Sequence, residues 1–291
     1  MSTQKIIKKE NIIKISPDEL LESALKKLSS SHDAAFVFDE KDNFLGLINP
    51  YYCMIKASYP ANTKVINCLF HPPKLKMSDS LVKVAEALIN SKIHYLPIVD
   101  EKDKFIGIIS ARRFLKFFLE DERFKVKIEE ILKLKKNPLS VIRENDTIAF
   151  VLKNFQKTHY SKLVVVDQDF KLKGLLSYFD LIYYLMMPKQ KAHLGERNGT
   201  KVNFYHQQVK NFMKTYVLTL TENNLLTEAI NLILDKKIGS VVIINEEKKP
   251  RQIITTHDIL KFFIKKEKAK AGLKIPTLQF GGLFIGKNEQ K

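Results

Sequence analysis

Two short stretches in the second half of the chain, Ser177-Tyr178-Phe179-Asp180 and Thr255-Thr256-His257-Asp258, place a hydroxyl three residues ahead of a carboxylate. At the start of a helix this spacing makes a capping box. The hydroxyl accepts from a first-turn N–H, and the carboxylate reaches back to the N–H of the capping residue. A helix start also favours anions, because its first amides and the positive end of its dipole face outward. Two earlier stretches align with these, Asn49-Pro50-Tyr51-Tyr52 and Ser110-Ala111-Arg112-Arg113. Both open with a residue able to cap, and Pro50 takes the favoured first helical position, but neither carries the acid.

Signatures of catalysis are missing. The chain has no G-x-S-x-G elbow, Walker loop, Gly-rich dinucleotide fingerprint or convincing carboxylate pair, so a non-enzyme is expected. Cys53 and Cys68 have no CxxC spacing and no histidine pair to complete a metal site. His32, His71, His159, His193 and His206 show no paired ligand spacing.

The elements that position the two boxes belong to a pattern that recurs four times at a spacing of about 60 to 80 residues. Each copy opens with a polar turn and an amphipathic helix: Ser16 into Leu28, Ser78 into Leu88, Glu144 into Phe155, and Thr221 into Leu232. A capping residue is expected ahead of each apolar stripe. Two apolar, β-branched strands follow, joined by a charged turn, and a second helix closes the unit. The paired strands run Ala35–Asp39 with Phe44–Ile48, Leu96–Asp100 with Phe105–Ile109, Leu163–Asp167 with Leu172–Leu176, and Val241–Asn245 with Arg251–Ile254. The expected class is α/β, each unit reading strand, helix, strand, strand, helix.

Tyr95-Leu96-Pro97-Ile98-Val99-Asp100 with Gly107-Ile108-Ile109-Ser110, and Leu163 to Asp167 with Gly174 to Asp180, resemble the signature of the CBS repeat. The resemblance covers about residues 6 to 266. It divides the chain into repeats at 6–58, 64–120, 126–187 and 207–266, with a basic and apolar tail at 267–291. It implies two sheet-packed pairs, or Bateman modules, stacked into a flattened disc, similar to the gamma subunit of AMP-activated protein kinase. It also implies a regulatory ligand such as AMP, ADP, ATP or a related adenosyl compound. In this family the acid takes the ribose hydroxyls while the Ser or Thr and the helix start face the phosphate. The implied site residues are Ser177, Asp180, Thr255, His257 and Asp258, with Lys162 as a phosphate contact and Leu139 and Val217 as apolar walls. For the Asp180 site the partner repeat offers Gly239 and Ser240, with Lys236 and Lys237 a little earlier. Tyr52 and Arg113 put binding by the first pair in doubt, and His94 matches a phosphate-contacting position of the gamma subunit.

Composition leaves two further readings open. The 291-residue chain carries 49 Lys and Arg against 32 Asp and Glu, a formal charge of +17, which attracts polyanions. Eight lysines and only two acids fall from Lys261 onward, so a nucleic-acid-associated protein is one alternative. A scaffold with side chains filling its clefts is the other. No run approaches the roughly 18 apolar residues of a membrane span, and no signal-type segment opens the chain, so a cytoplasmic protein is expected. A regulated protein partner and a homodimer both remain open. The insert Pro188 to His206 reads as a lid or a loop.

Overall fold

The computed structural model describes residues 7–9, 11–28, 34–187 and 204–272. Residues 188–203 of the Pro188 to His206 insert and the apolar tail from Leu273 lie outside the described residues, and the insert's last three residues are helical.

A strand β1 (Ile7–Lys8) precedes four units of the expected order. Repeat 1 comprises β2 (Lys14–Ile15), α1 (Leu21–Lys26), β3 (Ala35–Phe38), β4 (Phe44–Ile48) and a closing π-helical turn, Tyr51–Lys56. Repeat 2 comprises β5 (Leu75–Lys76), α2 (Leu81–Ser91), β6 (Tyr95–Val99), β7 (Phe105–Ser110) and α3 (Ala111–Leu115). After α4 (Ile128–Leu132), repeat 3 comprises β8 (Val141–Arg143), α5 (Ile148–Thr158), β9 (Lys162–Val166), β10 (Leu172–Ser177) and α6 (Tyr178–Met186). Repeat 4 comprises β11 (Thr219–Leu220), α7 (Leu226–Asp235), β12 (Ser240–Ile244), β13 (Pro250–Thr255) and α8 (Thr256–Lys270).

In every repeat the first strand runs parallel to the second, which pairs antiparallel with the third. The hairpin turns share one chemistry. Asp39, Asp100 and Asp167 each accept, through Oδ1, from the amides two and four residues on. Asn245 accepts from the amide of Lys249. Asp42, Asp103, Phe170 and Lys248 close these turns at φ of 59°, 61°, 64° and 60°. An Asx side chain that caps its own turn explains why each middle strand ends in Asp or Asn.

Sheets and helices bury different partners. The sheets of repeats 1 and 2 meet through Phe36, Phe38, Tyr95 and Ile108, and those of repeats 3 and 4 through Val164, Val166 and Val242. The helices of repeat 1 pack on those of repeat 3 around Leu21, Ile55, Phe155 and Leu181. Those of repeat 2 pack on repeat 4 around Phe114, Phe118, Phe124 and Phe263. Two sheet-paired modules are thus fastened helix to helix, as the repeat pattern implies.

The first helices depart from expectation in their caps. Ser80 and Thr147 accept from the amides of Lys83 and Phe150, as expected. At α1 and α7 the capping positions are Leu20 and Leu225, which have no side chain to offer. Backbone from elsewhere satisfies the exposed amides: Leu21 and Glu22 donate to the carbonyls of Thr63 and Ala61, and Leu226 donates to that of Val126. Ile148 donates to the Gln207 carbonyl in the same manner. The closing helix α8 also runs further than the repeat pattern suggests. Its last turns are held by Arg123 on Glu267 at 2.6 Å and by Lys268 on Glu86 at 3.1 Å.

Among the described residues, three of the four repeats also lend their entering chain to the third strand of the sheet partner. Phe70, entering repeat 2, bridges Leu47 of β4, and Lys214, entering repeat 4, bridges Leu175 of β10. β1 pairs with β7. This close approach accounts for the glycine of the third strand. A Cβ on Gly174 would lie 2.8 Å from the Lys214 carbonyl oxygen and 2.8 Å from Met213 Sδ. At Gly239 the same atom would meet only Lys162 Nζ, the end of a flexible side chain, at 2.8 Å. Gly174→Ala is therefore expected to cost about 1–3 kcal/mol through overpacking against backbone. Gly239→Ala should stay within about 0.5 kcal/mol. Urea midpoints of the two variants against the parent check the contrast.

Candidate functional site

The hydroxyl–carboxylate boxes form as the spacing predicts. Ser177 Oγ accepts from the Phe179 amide at 3.1 Å, and Asp180 Oδ2 accepts from the Ser177 amide at 2.8 Å. Thr255 Oγ1 accepts from the Asp258 amide at 3.2 Å. Asp258 Oδ2 accepts from the Thr255 amide at 2.9 Å and from its hydroxyl at 2.8 Å. The starts of the other two closing helices are also capped, by Asn49 on the Tyr52 amide and by Ser110 on the Arg113 amide.

Beyond the box, each acid meets a lysine absent from the sequence prediction. Lys135 Nζ lies 2.8 Å from Asp258 Oδ2 and donates at 2.8 Å to the Ile253 carbonyl. Lys214 Nζ lies 3.1 Å from Asp180 Oδ1. Both lysines arrive on the entering segments, just ahead of β8 and β11. Their counterparts in the first module are Phe70, ahead of β5, and Lys8, ahead of β2. The pairing is positional. Tyr52, standing where the acids stand, stacks on Phe70 with centroids 4.0 Å apart and planes 18° apart. Its hydroxyl donates to the Ser91 carbonyl at 3.0 Å, and Lys56 Nζ sits 5.3 Å from its ring centre. Arg113 has a cation opposite it: burial and then the Arg113 charge lower the pKa of Lys8.

Burial raises the pKa of the Asp258 carboxyl, but Lys135 and the two Thr255 donors outweigh it and hold the group below its ordinary range. Asp258 is thus a carboxylate anchored by charge and hydrogen bonds at once.

The remaining predicted residues fall on two sides of this site. Leu139 and Val217 both pack on the valine seam between the sheets of repeats 3 and 4, so the predicted apolar walls share one interface. Lys162 opens β9 opposite Ser177 and reaches across to Gly239, whose carbonyl accepts from the Thr256 amide at 3.3 Å. Ser240 pairs with Thr255 and is buried. His257 instead turns toward repeat 2, its ring stacked on His94 at 4.8 Å and 5°. Lys237 contributes its carbonyl there, accepting from Arg112 at 2.7 Å.

A basic group gathers near that junction. Partial burial and then Lys261 and Lys56 lower the pKa of Lys92. Burial, Lys92 and Lys56 likewise lower that of His159. His159 Nδ1 is 2.6 Å from the Tyr51 hydroxyl, which burial and Tyr52 push up to about 12. A cavity of about 310 Å³ opens beside Asp180, bounded by Leu25, Pro50, Phe179 and Tyr183, on the side of repeat 1 rather than repeat 4. Among the described residues no cluster of three or more His, Cys, Asp or Glu is placed to hold a metal ion. No described helix is long and apolar enough to cross a membrane.

The family model for the CBS domain matches residues 5–51, 68–120, 128–187 and 209–265. The chain is 26% identical over 195 residues to subunit gamma-3 of the 5'-AMP-activated protein kinase of Sus scrofa, covering 64% of this chain and 37% of that protein. It is 25% identical over 191 residues to a 33.4 kDa protein in the ribosomal RNA operon of Thermofilum pendens, covering 66% of this chain and 61% of the relative. The chain thus spans less than two thirds of the length of either relative. The crystal structure of protein MJ1225 from Methanocaldococcus jannaschii superposes with a TM-score of 0.75 at 18% identity, covering 90% of this chain and all of that one.

Removing one partner of a buried pair leaves an uncompensated charge, whereas an exposed pair contributes little. Lys135→Met should therefore lower stability by about 3–5 kcal/mol. Lys214→Met should change it by no more than about 1 kcal/mol. Because the folded pKa of Asp258 is depressed, its contribution is present above the unfolded value, about 3.9, and disappears as pH falls through the folded value. Denaturant titrations from pH 7 to pH 2 should show this acid-side loss in the parent and its attenuation in Asp258→Asn.

Proposed function

We propose, on the premise that the chain belongs to the CBS-domain family, that it is a non-catalytic regulatory protein whose ligand is an adenine nucleotide held by the module of repeats 3 and 4. One observation carries this reading: the two closing helices of that module keep a carboxylate at the third helical position behind a hydroxyl cap, and those of the other module do not. A carboxylate held in a box accepts two vicinal hydroxyls well, and the exposed amides in front of the cap suit a phosphate. Lys162 adds a cation beside the start of α8. Leu139 and Val217 supply apolar surface for a base.

In the first module Tyr52 has its ring against Phe70, so that position is filled by protein. Ligand binding would regulate by favouring one relative arrangement of the repeats. It does so only to the extent that its affinity differs between arrangements.

A thermal-shift series with AMP, ADP, ATP and S-adenosylmethionine tests the reading. An adenine ligand at a hundred times its Kd should stabilise by about 2.7 kcal/mol, raising Tm by a few degrees. Asp180→Ala should abolish the shift. A flat response to all four ligands in well-folded protein rejects the assignment.

A further inference from the structure

The two acids of the second module look equivalent in sequence but are held differently. Asp258 and Asp180 are almost equally covered, with side chains 11% and 13% exposed. Their lysines are not: Lys135 is 17% exposed and Lys214 is 63% exposed. Lys135 has a second acceptor in the Ile253 carbonyl, and Asp258 Oδ2 already takes three donors. The greater exposure of Lys214 is not a looser backbone, since both entering segments are anchored upstream and Lys214 also exchanges two backbone hydrogen bonds with Leu175. Ile128 and Glu129, ahead of Lys135, donate to the carbonyls of Asn224 and Glu222. Val209 and Lys210, ahead of Lys214, donate to those of Asp146 and Glu144.

We infer that Lys135 is a built-in counter-ion that keeps the Asp258 position closed, and that Asp180 is the position at which a ribose-bearing ligand binds. This rests on the adenine-nucleotide reading above and assigns the site within it. A solvated ammonium such as Lys214 exchanges its carboxylate for water at little loss. Lys135 would have to leave two acceptors in a water-poor setting, and neutral ribose hydroxyls would replace a charge-assisted hydrogen bond. The resulting handicap at Asp258 corresponds to an affinity at least about a hundredfold weaker than at Asp180.

The position opposite each closing-helix start thereby acts as a selector with four settings. An aromatic plug fills it at Tyr52–Phe70, and in repeat 2 a cation, Arg113, replaces the acid, its charge acting on Lys8. A buried lysine closes it at Asp258, and an exposed lysine leaves it available at Asp180.

Isothermal titration of the full chain with AMP, and separately with ATP, tests the inference through stoichiometry. The parent should take up one equivalent, Lys135→Met two, Asp180→Ala none, and the double variant Lys135→Met with Asp180→Ala one. If Lys135→Met does not fold, crystals of the parent grown in excess AMP give the answer, with nucleotide density expected at Asp180 and absent at Asp258. Two equivalents in the parent, density at Asp258, or a single equivalent that survives Asp180→Ala would overturn the latch while leaving nucleotide binding intact. No heat from the parent with either nucleotide overturns both.

Discussion

A chain that enters one repeat by crossing the third strand of its sheet partner must bring a side chain up against the helix that follows that strand. This crossing constrains most of what surrounds the site. It forces glycine at Gly174, because the Lys214 carbonyl lies where a Cβ would be. It fixes the register of the entering segment, since Leu175 and Lys214 exchange two backbone hydrogen bonds of 2.9 Å. The crossing also delivers residues from a distant part of the sequence to the third position of a closing helix. Phe70 and Lys214 reach Tyr52 and Asp180 in this way, and Lys135 reaches Asp258 with its side chain also on the Ile253 carbonyl of the third strand.

The same geometry has been used for opposite ends in the two modules. The seam of the first is aromatic: Phe38 and Phe105 meet edge to face at 5.0 Å, and Phe44 lies 5.6 Å from Phe105. With Tyr52 stacked on Phe70 the module is filled by large rigid rings. The seam of the second is built of Val164, Val166 and Val242, flanked by Leu139 and Val217, and each of its closing-helix starts carries a carboxylate paired with a lysine. Small β-branched residues fill less of an interface than phenylalanines do, and charge paired with an exposed lysine, as at Asp180, can be re-paired where a stacked ring cannot.

What was legible in the residues were features of short range. The caps of the closing helices use atoms no more than three residues apart and were legible in the repeating pattern. Of the equally local Asx turns, only the Asp or Asn at each strand end was legible, not its hydrogen bonds. The caps of α1 and α7 were not legible, because Thr63 and Val126 supply carbonyls rather than recognisable side chains. Lys135 meets Asp258 across 123 residues, and in sequence it is one lysine in a lysine-rich linker. Its place shortly before the first strand, six residues ahead of β8 where Lys214 is five ahead of β11, becomes meaningful only once the contact with the closing helix is known. His257 shows the converse. Its place in the motif suggested a ligand contact within its own module, whereas packing of α8 on repeat 2 turns its ring onto His94.

That stack bears on how the two modules communicate. A signal that starts at an acid of repeat 3 or 4 has to cross a helix interface, and each interface joins one repeat from either module. At the repeat 1 and 3 interface, Pro50 and Asp180 border the same cavity and Tyr51 is hydrogen-bonded to His159. At the repeat 2 and 4 interface, His257 stacks on His94 one residue before Asp258. On the proposed reading, occupation of Asp180 would change the polar surroundings of a helix start whose neighbours belong to the other module. Coupling of this kind needs no long relay, because site and interface are the same turn of helix. It requires only that the interface have two arrangements to which the ligand binds with different affinity. The interface best placed for this is the one beside Asp180, where a cavity and a solvated lysine leave room for a second arrangement, whereas Asp258 is held by a buried one.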